Sequence, residues 1–241
     1  CEVTGQVHVP SLLRALMAAC AAAGVHVGEQ SPVSQIVVRD EKVRAVAARD
    51  EEVAADHCLL CAGAWTSALM PPLSDDIGVR PAKGQGIALA LEPGTNLPRG
   101  ILKRGPIYLV PWREQGEVLV GSTTEPEAGF ADAPTAEARD VLLAGAAECW
   151  PELHNARILR HWAGLRPDGP KHRPVMRASD RIGGLWICSG HYKTGIGMAG
   201  ATGAAMAGAI LHGAALPTFY LSRLRGRDEG GLGLGDRHRH S

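Results

Sequence analysis

Apolar and polar positions change period several times along this chain. Behind Pro10 and Ser11, the residues Leu12, Leu13, Leu16, Ala19 and Cys20 recur at helical spacing and share one face. Gly24 follows with C-cap chemistry, so the chain opens with a helix of about 13 residues. The pattern then shortens to strand-like alternation or short apolar runs at 25–28, 33–39, 42–49 and 57–62. Arg39-Asp40-Glu41-Lys42 reads as the hairpin turn between the second and third of these. Further strands are expected at 83–91, 107–112 and 117–122, the last two joined through Glu114-Gln115-Gly116, which implies an antiparallel sheet able to floor a pocket.

Thr135 is placed as the N-cap of a helix running to about Cys149. Strands at 157–165 and 185–189 and a helix over 194–211 complete the ordered pattern, and the Gly- and Arg-rich residues 222–241 read as a disordered tail. There is no internal repeat and no strict βαβ alternation, so the architecture is mixed.

Composition narrows the field. With 241 residues, 45% of them hydrophobic and 21% charged, the chain can bury a sizeable core. Its 25 basic residues balance its 25 acidic ones, which argues against nucleic acid or an acidic membrane surface as partner. The six cysteines are scattered through apolar runs, the usage of reduced cytoplasmic thiols. Cys58 and Cys61 have a metal-like spacing, but no second pair completes a zinc site. Residues 194–216 form a membrane-length uncharged stretch, which its Gly and Ala content assigns instead to a tightly packed buried helix. No methionine or leader precedes Cys1, and the expectation is a fragment or a truncated product.

Gly195-Ile196-Gly197-Met198-Ala199-Gly200 matches G-x-G-x-x-G literally. Five residues separate it from the preceding strand, and no second strand with an acidic ribose ligand follows, so it is not a primary dinucleotide fingerprint. Small residues on the first turns of a helix would still let backbone N–H groups approach an electron-rich ligand.

Four signatures in fixed order carry a family resemblance: Gly63-Ala64-Trp65, Tyr108-Leu109-Val110-Pro111, Trp162-Ala163-Gly164-Leu165-Arg166-Pro167 and Gly190-His191-Tyr192-Lys193-Thr194-Gly195. Together they resemble the later two-thirds of the FAD-dependent amino acid oxidases of the glycine oxidase and D-amino acid oxidase kind, without the N-terminal dinucleotide-binding motif. The resemblance covers residues from about 5 to 221. It implies an α/β class of mixed α+β character, an incomplete FAD/NAD(P)-binding Rossmann-like layer with an antiparallel-sheet substrate domain. Residues 1–80 and 156–221 are expected to form the remaining part of the FAD-binding domain, and 81–155 the substrate domain.

The implied cofactor is FAD, and the implied reaction converts glycine, sarcosine or a D-amino acid to an imine and then an oxo acid, with oxygen as acceptor, as in the glycine oxidases of thiamine biosynthesis. Such chemistry needs the carboxylate held so that the Cα–H faces the flavin, and a guanidinium paired with a phenol does this directionally. The resemblance assigns those roles to Arg166 and Tyr108, with Lys193 beside them. It assigns cofactor contacts to Val33, Ala62, Gly63, Trp65, Gly190, His191, Gly195, Ile196 and Thr202. Read on their own, Arg166 has the alternative of a surface or ion-paired arginine and Tyr108 that of a capped core tyrosine. Hydride transfer from Cα needs no strong base, and no residue is singled out as one.

Lys193 stands where an Arg is usual and loses the bidentate fork. The loop 168–177 lacks an Asp before its second Pro, Arg177 replaces a Gly, and Gly200 replaces a Pro. A flavin dehydrogenase, a cyanide-forming glycine oxidoreductase subunit and a non-catalytic remnant or interaction subunit remain alternatives, as do a homo-oligomer or a missing N-terminal segment as partner.

Overall fold

Asp40 and Glu41 both adopt left-handed backbone, with φ of 52° and 54°, and so fold the chain back as a tight hairpin. The computed structural model describes residues 5–49, 51–71, 76–92, 94–96 and 100–216, which leaves the expected tail at 222–241 outside them. Helix α1 (Val9–Ala22) precedes the hairpin, with Pro in its first turn and Gly24 at φ 76° beyond its end. Its expected apolar face buries nothing: Leu13 and Leu16 are 53% and 50% exposed. Residues 25–28, expected as a strand, have no regular structure, because no neighbouring strand pairs with them among the described residues.

Strands β1 (Val33–Arg39), β2 (Lys42–Ala48) and β3 (Glu51–Ala54) form an antiparallel sheet in that order. The charged pair Glu51-Glu52 hid β3 from the pattern; all four of its residues are exposed, so no buried face marks it. Strand β4 (Cys58–Leu60) leads into single turns of tight helix at Gly63–Trp65 and Ser67–Leu69.

Strands β5 (Arg80–Ala90), β6 (Leu102–Arg104), β7 (Ile107–Trp112) and β8 (Glu117–Gly121) follow, then helix α2 (Ala136–Cys149) and strand β9 (Ile158–Asp168). These five strands make one antiparallel sheet, ordered β6-β7-β8-β5-β9. The eleven residues of β9 pair with β5 from Asp168 opposite Arg80 to Ile158 opposite Leu89. One face carries Ile87, Leu89, Ile107, Leu109, Val118 and Val120 into a core closed by Leu142 and Ala146 of α2. The other face is left for a cavity. Thr135 caps α2 as expected, its hydroxyl accepting from the Ala138 N–H at 3.3 Å.

Strands β10 (Val175–Ala178) and β11 (Leu185–Ser189) join β4 in a sheet ordered β10-β11-β4, antiparallel in its first pair and parallel in its second. Residues 175–178, read from sequence as loop, are therefore a strand; their pairing partner lies across the Ser179–Gly184 turn, beyond the reach of a local pattern.

The chain divides after Lys193. Helix α3 (Gly195–His212), in the second unit, buries Thr202, Met206 and Ala209 and ends at Gly213, φ 64°. It is not the wholly buried helix expected from its composition, since a single stripe is covered and Leu211 is 71% exposed. No helix among the described residues is long and apolar enough to cross a membrane.

Candidate active site

The register of the five-stranded sheet sets four residues in a row. Tyr108 of β7 lies opposite Gly121 of β8, Gly121 opposite Gly86 of β5, and Gly86 opposite Trp162 of β9. The two central glycines make a floor without side chains, and the aromatic rings at either end fold over it. A Cβ at Gly86 would come within 2.7 Å of the Trp162 ring, and one at Gly121 would run into the Tyr108 phenol. Two residues along β5, Gly84 lies beneath the Arg166 guanidinium, which fills the space a Cβ would take. Glycine is required here for close approach rather than for backbone freedom.

Arg166 is held from three sides. Its Nη1 donates to the carbonyls of Thr123 and Lys83, at 3.2 and 3.4 Å, and its Nη2 donates to Ser122 Oγ at 2.8 Å. The Nε–H and the second Nη2–H have no partner among the described residues and remain for a ligand. Among the described residues no carboxylate pairs with the guanidinium, whose partners are the two carbonyls and the Ser122 hydroxyl. Tyr108, 36% exposed, is a wall residue rather than a core tyrosine. Tyr108 and Arg166 line one cavity of about 250 Å³ together with Gly84, Gly86, Gly121 and Trp162. The rest of its lining is mainly apolar and includes no acidic residue among the described ones.

A buried polar network supports the strand beneath Arg166. Lys83 and Gln85, 3% and 1% exposed, point away from the cavity floor. Lys83 Nζ donates to the Ala133 carbonyl at 2.7 Å and approaches Glu125 at 3.6 Å. Gln85 donates to Glu125, and its carbonyl oxygen accepts from the Thr135 N–H at 2.8 Å. Burial works to raise the Glu125 carboxyl, but hydrogen bonds from Thr123 and Gln85, with the charge of Lys83, hold it below the usual carboxylate range.

Lys193 is not in the cavity. Its Nζ donates to Thr124 Oγ1 at 3.1 Å and lies 5.0 Å above the Tyr192 ring, one residue along from the carbonyl that holds Arg166. Tyr192 in turn stacks on His172, centroids 4.9 Å apart.

The residues assigned to the cofactor fall in three places. Val33 begins β1 in the separate hairpin sheet. Ala62, Gly63 and Trp65 follow β4, and Gly190 and His191 follow β11, so both groups lie at the carboxyl ends of the parallel pair. Ligands of open α/β sheets sit at such ends. Gly63 and Gly190 are left-handed, with φ of 55° and 79°. Ser189 Oγ and Thr66 Oγ1 both donate to the Gly63 carbonyl, at 2.9 and 2.7 Å, tying the two turns together. A Cβ at Gly63 would meet nothing within 4 Å, so the turn has an open side on which a flat ring can rest. That open side has room for a planar ring such as a flavin. The turn at Gly63–Trp65 also packs on β9, the strand of Arg166. Burial pushes the His191 imidazole down, which favours its neutral form. Gly195, Ile196 and Thr202 lie on α3, whose first turn presents Ile196 to solvent and whose buried stripe starts at Thr202.

Sequence reasoning missed Gly84, Gly86, Gly121, Ser122 and Trp162 as parts of the site. The alternation of Gly84 and Gly86 inside a strand was the available signal, since glycine in a strand interior marks a close approach.

Residues 1–209 match the family described as DAO, FAD dependent oxidoreductase, and the chain belongs to that family. It is 39% identical over 194 residues to a glycine oxidase of Pseudomonas aeruginosa, covering 80% of this chain and 52% of that protein. It is 33% identical over 208 residues to a bifunctional protein ThiO/ThiG of Nostoc sp., covering 86% of this chain and 31% of that one. The crystal structure of glycine oxidase from Bacillus cereus superposes with a TM-score of 0.79 at 28% identity, covering 88% of this chain and 57% of that chain. The chain thus spans about half the length of the glycine oxidases it matches.

Proposed function

We propose that this chain carries the substrate site of an FAD-dependent oxidase of small amino acids, acting on the C–N bond of glycine, sarcosine or a D-amino acid with oxygen as acceptor. The observation that carries this reading is the convergence of Tyr108 and Arg166 on one small cavity. Arg166 offers its remaining N–H donors to the substrate carboxylate, and the Tyr108 hydroxyl adds a directional bond. At about 250 Å³ the cavity is smaller than the usual site for a drug-sized ligand, which suits a small amine.

The apolar lining supports the chemistry as well. With no carboxylate among the described residues of its walls to hold an ammonium, the substrate amine can lose its proton and leave its lone pair free to assist hydride departure from Cα. FAD, when bound, supplies the hydride acceptor. Ala62, Gly63 and Gly190 would hold it, with Trp65 and His191 beside them; Lys193 would act indirectly, through the segment that carries Thr123. Reduced thiols at Cys20, Cys58, Cys61, Cys149 and Cys188 suit a cytoplasmic setting, and a place in thiamine biosynthesis belongs to the same reading. The test is oxygen uptake with peroxide release by the FAD-supplied protein given glycine, sarcosine or D-alanine. Turnover of at least one is expected; flavin that is bound yet inert to all three sinks the proposal.

A further inference from the structure

Strands β4 and β11 run parallel, with Cys58 opposite Leu185, Leu59 opposite Trp186 and Leu60 opposite Ile187. The next step of that register sets Cys61 beside Cys188. Leu60, Leu185, Ile187 and Ser189 are buried on one side of this sheet, so strand alternation directs Cys61 and Cys188 to the other side together. The two thiols are near enough for each to shift the titration of the other. Neighbouring strands lie about 4.8 Å apart, within the span of about 4.4–6.8 Å between Cα atoms that a disulfide bridges. Cys61 is exposed, Cys188 is half-buried and both are free thiols.

We propose that Cys61 and Cys188 form a peroxide-oxidisable dithiol, Cys61 being the attacking thiolate and Cys188 the resolving thiol. The two sulfurs are not equivalent. The hydrogen bond from Cys188 brings the Cys61 thiol down to about 7 against the opposing effect of burial. That same bond, with burial, pushes Cys188 up. Cys58 is raised by burial and by the charge of Cys61, which keeps it a bystander.

In the first step the Cys61 thiolate attacks one oxygen of hydrogen peroxide. An S–O bond forms, the O–O bond breaks, hydroxide leaves, and the sulfur is oxidised by two electrons to a sulfenic acid. Cys188 sulfur then attacks Cys61 sulfur; an S–S bond forms, the S–O bond breaks, and the departing hydroxide takes the Cys188 proton as water. Two thiols and one peroxide give one disulfide and two waters. Cys61 adjoins Ala62 and Gly63, and Cys188 adjoins Ser189 and Gly190, so the bond would clamp the two turns proposed to hold the flavin. The internal source of peroxide rests on the proposed oxidase reaction, whereas the thiol pair does not.

The test adds hydrogen peroxide directly to the reduced chain without any amine, so failure of the oxidase reading leaves its outcome intact. Remaining thiols are blocked with N-ethylmaleimide and peptides are read by mass spectrometry. A Cys61–Cys188 linked peptide is expected, with Cys20, Cys58 and Cys149 still alkylated. Cys188→Ser should instead accumulate a dimedone-trappable sulfenic acid at Cys61, and Cys61 of the untreated chain should alkylate about threefold faster at neutral pH than free cysteine. A Cys58–Cys61 link, scattered oxidation, or no link at excess peroxide would overturn the proposal, and the wild-type result does not depend on a variant folding.

Discussion

Arg166 lies across Gly84, its guanidinium in the space that any side chain at that position would need. The arginine that the proposed function uses for substrate is thus placed from below by a residue of the neighbouring strand. Gly84→Ala should push the guanidinium off the Thr123 carbonyl and Ser122. Overpacking of this kind costs about 1–3 kcal/mol, so thermal unfolding should move down by a few degrees while KM for the amine rises about tenfold or more. An unchanged KM would show that Arg166 is not positioned from below.

Arg166→Met removes the charge and Arg166→Lys keeps it while losing the fork. Breaking one side of a buried charged hydrogen-bonded contact costs about 2–5 kcal/mol. Steady-state kinetics should therefore show kcat/KM falling by about 30-fold or more in both, with the lysine variant recovering only part. Tyr108→Phe deletes one hydrogen bond to a charged group and should cost about tenfold.

Glu125 predicts an acid-side weakness. Its folded carboxyl titrates below the ordinary value of about 4.3. Its contribution to stability is therefore complete above that value and is lost as pH falls through the lower folded one. Melting temperature followed from about pH 6 to about pH 3 should drop on the acid side, and Glu125→Gln should flatten that part of the curve. A variant curve parallel to wild type would remove Glu125 from this role.

Thr135 both caps α2 and passes its backbone N–H to Gln85. Thr135→Ala should cost about 1 kcal/mol of stability in denaturant titration, and Thr135→Ser should restore most of it because the capping hydroxyl returns. Equal loss in both variants would point to the methyl group instead.

Elements whose pattern was set by their own residues were legible before folding. The Asp40-Glu41 turn, β7 and β11, and the cap at Thr135 came directly from local chemistry, and the motifs singled out Tyr108 and Arg166, which the fold brings to one cavity. Strand β3 was not, because all its residues are exposed, and β10 was not, because its partner lies across a turn. The glycine floor escaped for a related reason. Gly86 and Gly121 acquire their role only when β5 and β8 are side by side, and no single segment shows that pairing. Lys193 illustrates the converse, a motif residue that folding turns toward Thr124 and away from the cavity.

The central claim is that this cavity recognises a substrate by its carboxylate. Anaerobic reduction of the bound flavin, followed near 450 nm, should be compared between glycine and methylamine, which lacks only that group. The Arg166 and Tyr108 donors left unpaired by methylamine should lower its rate constant by about 10⁴-fold or more. Comparable bleaching by the two amines would contradict the assignment of Arg166 and Tyr108 as the carboxylate grip.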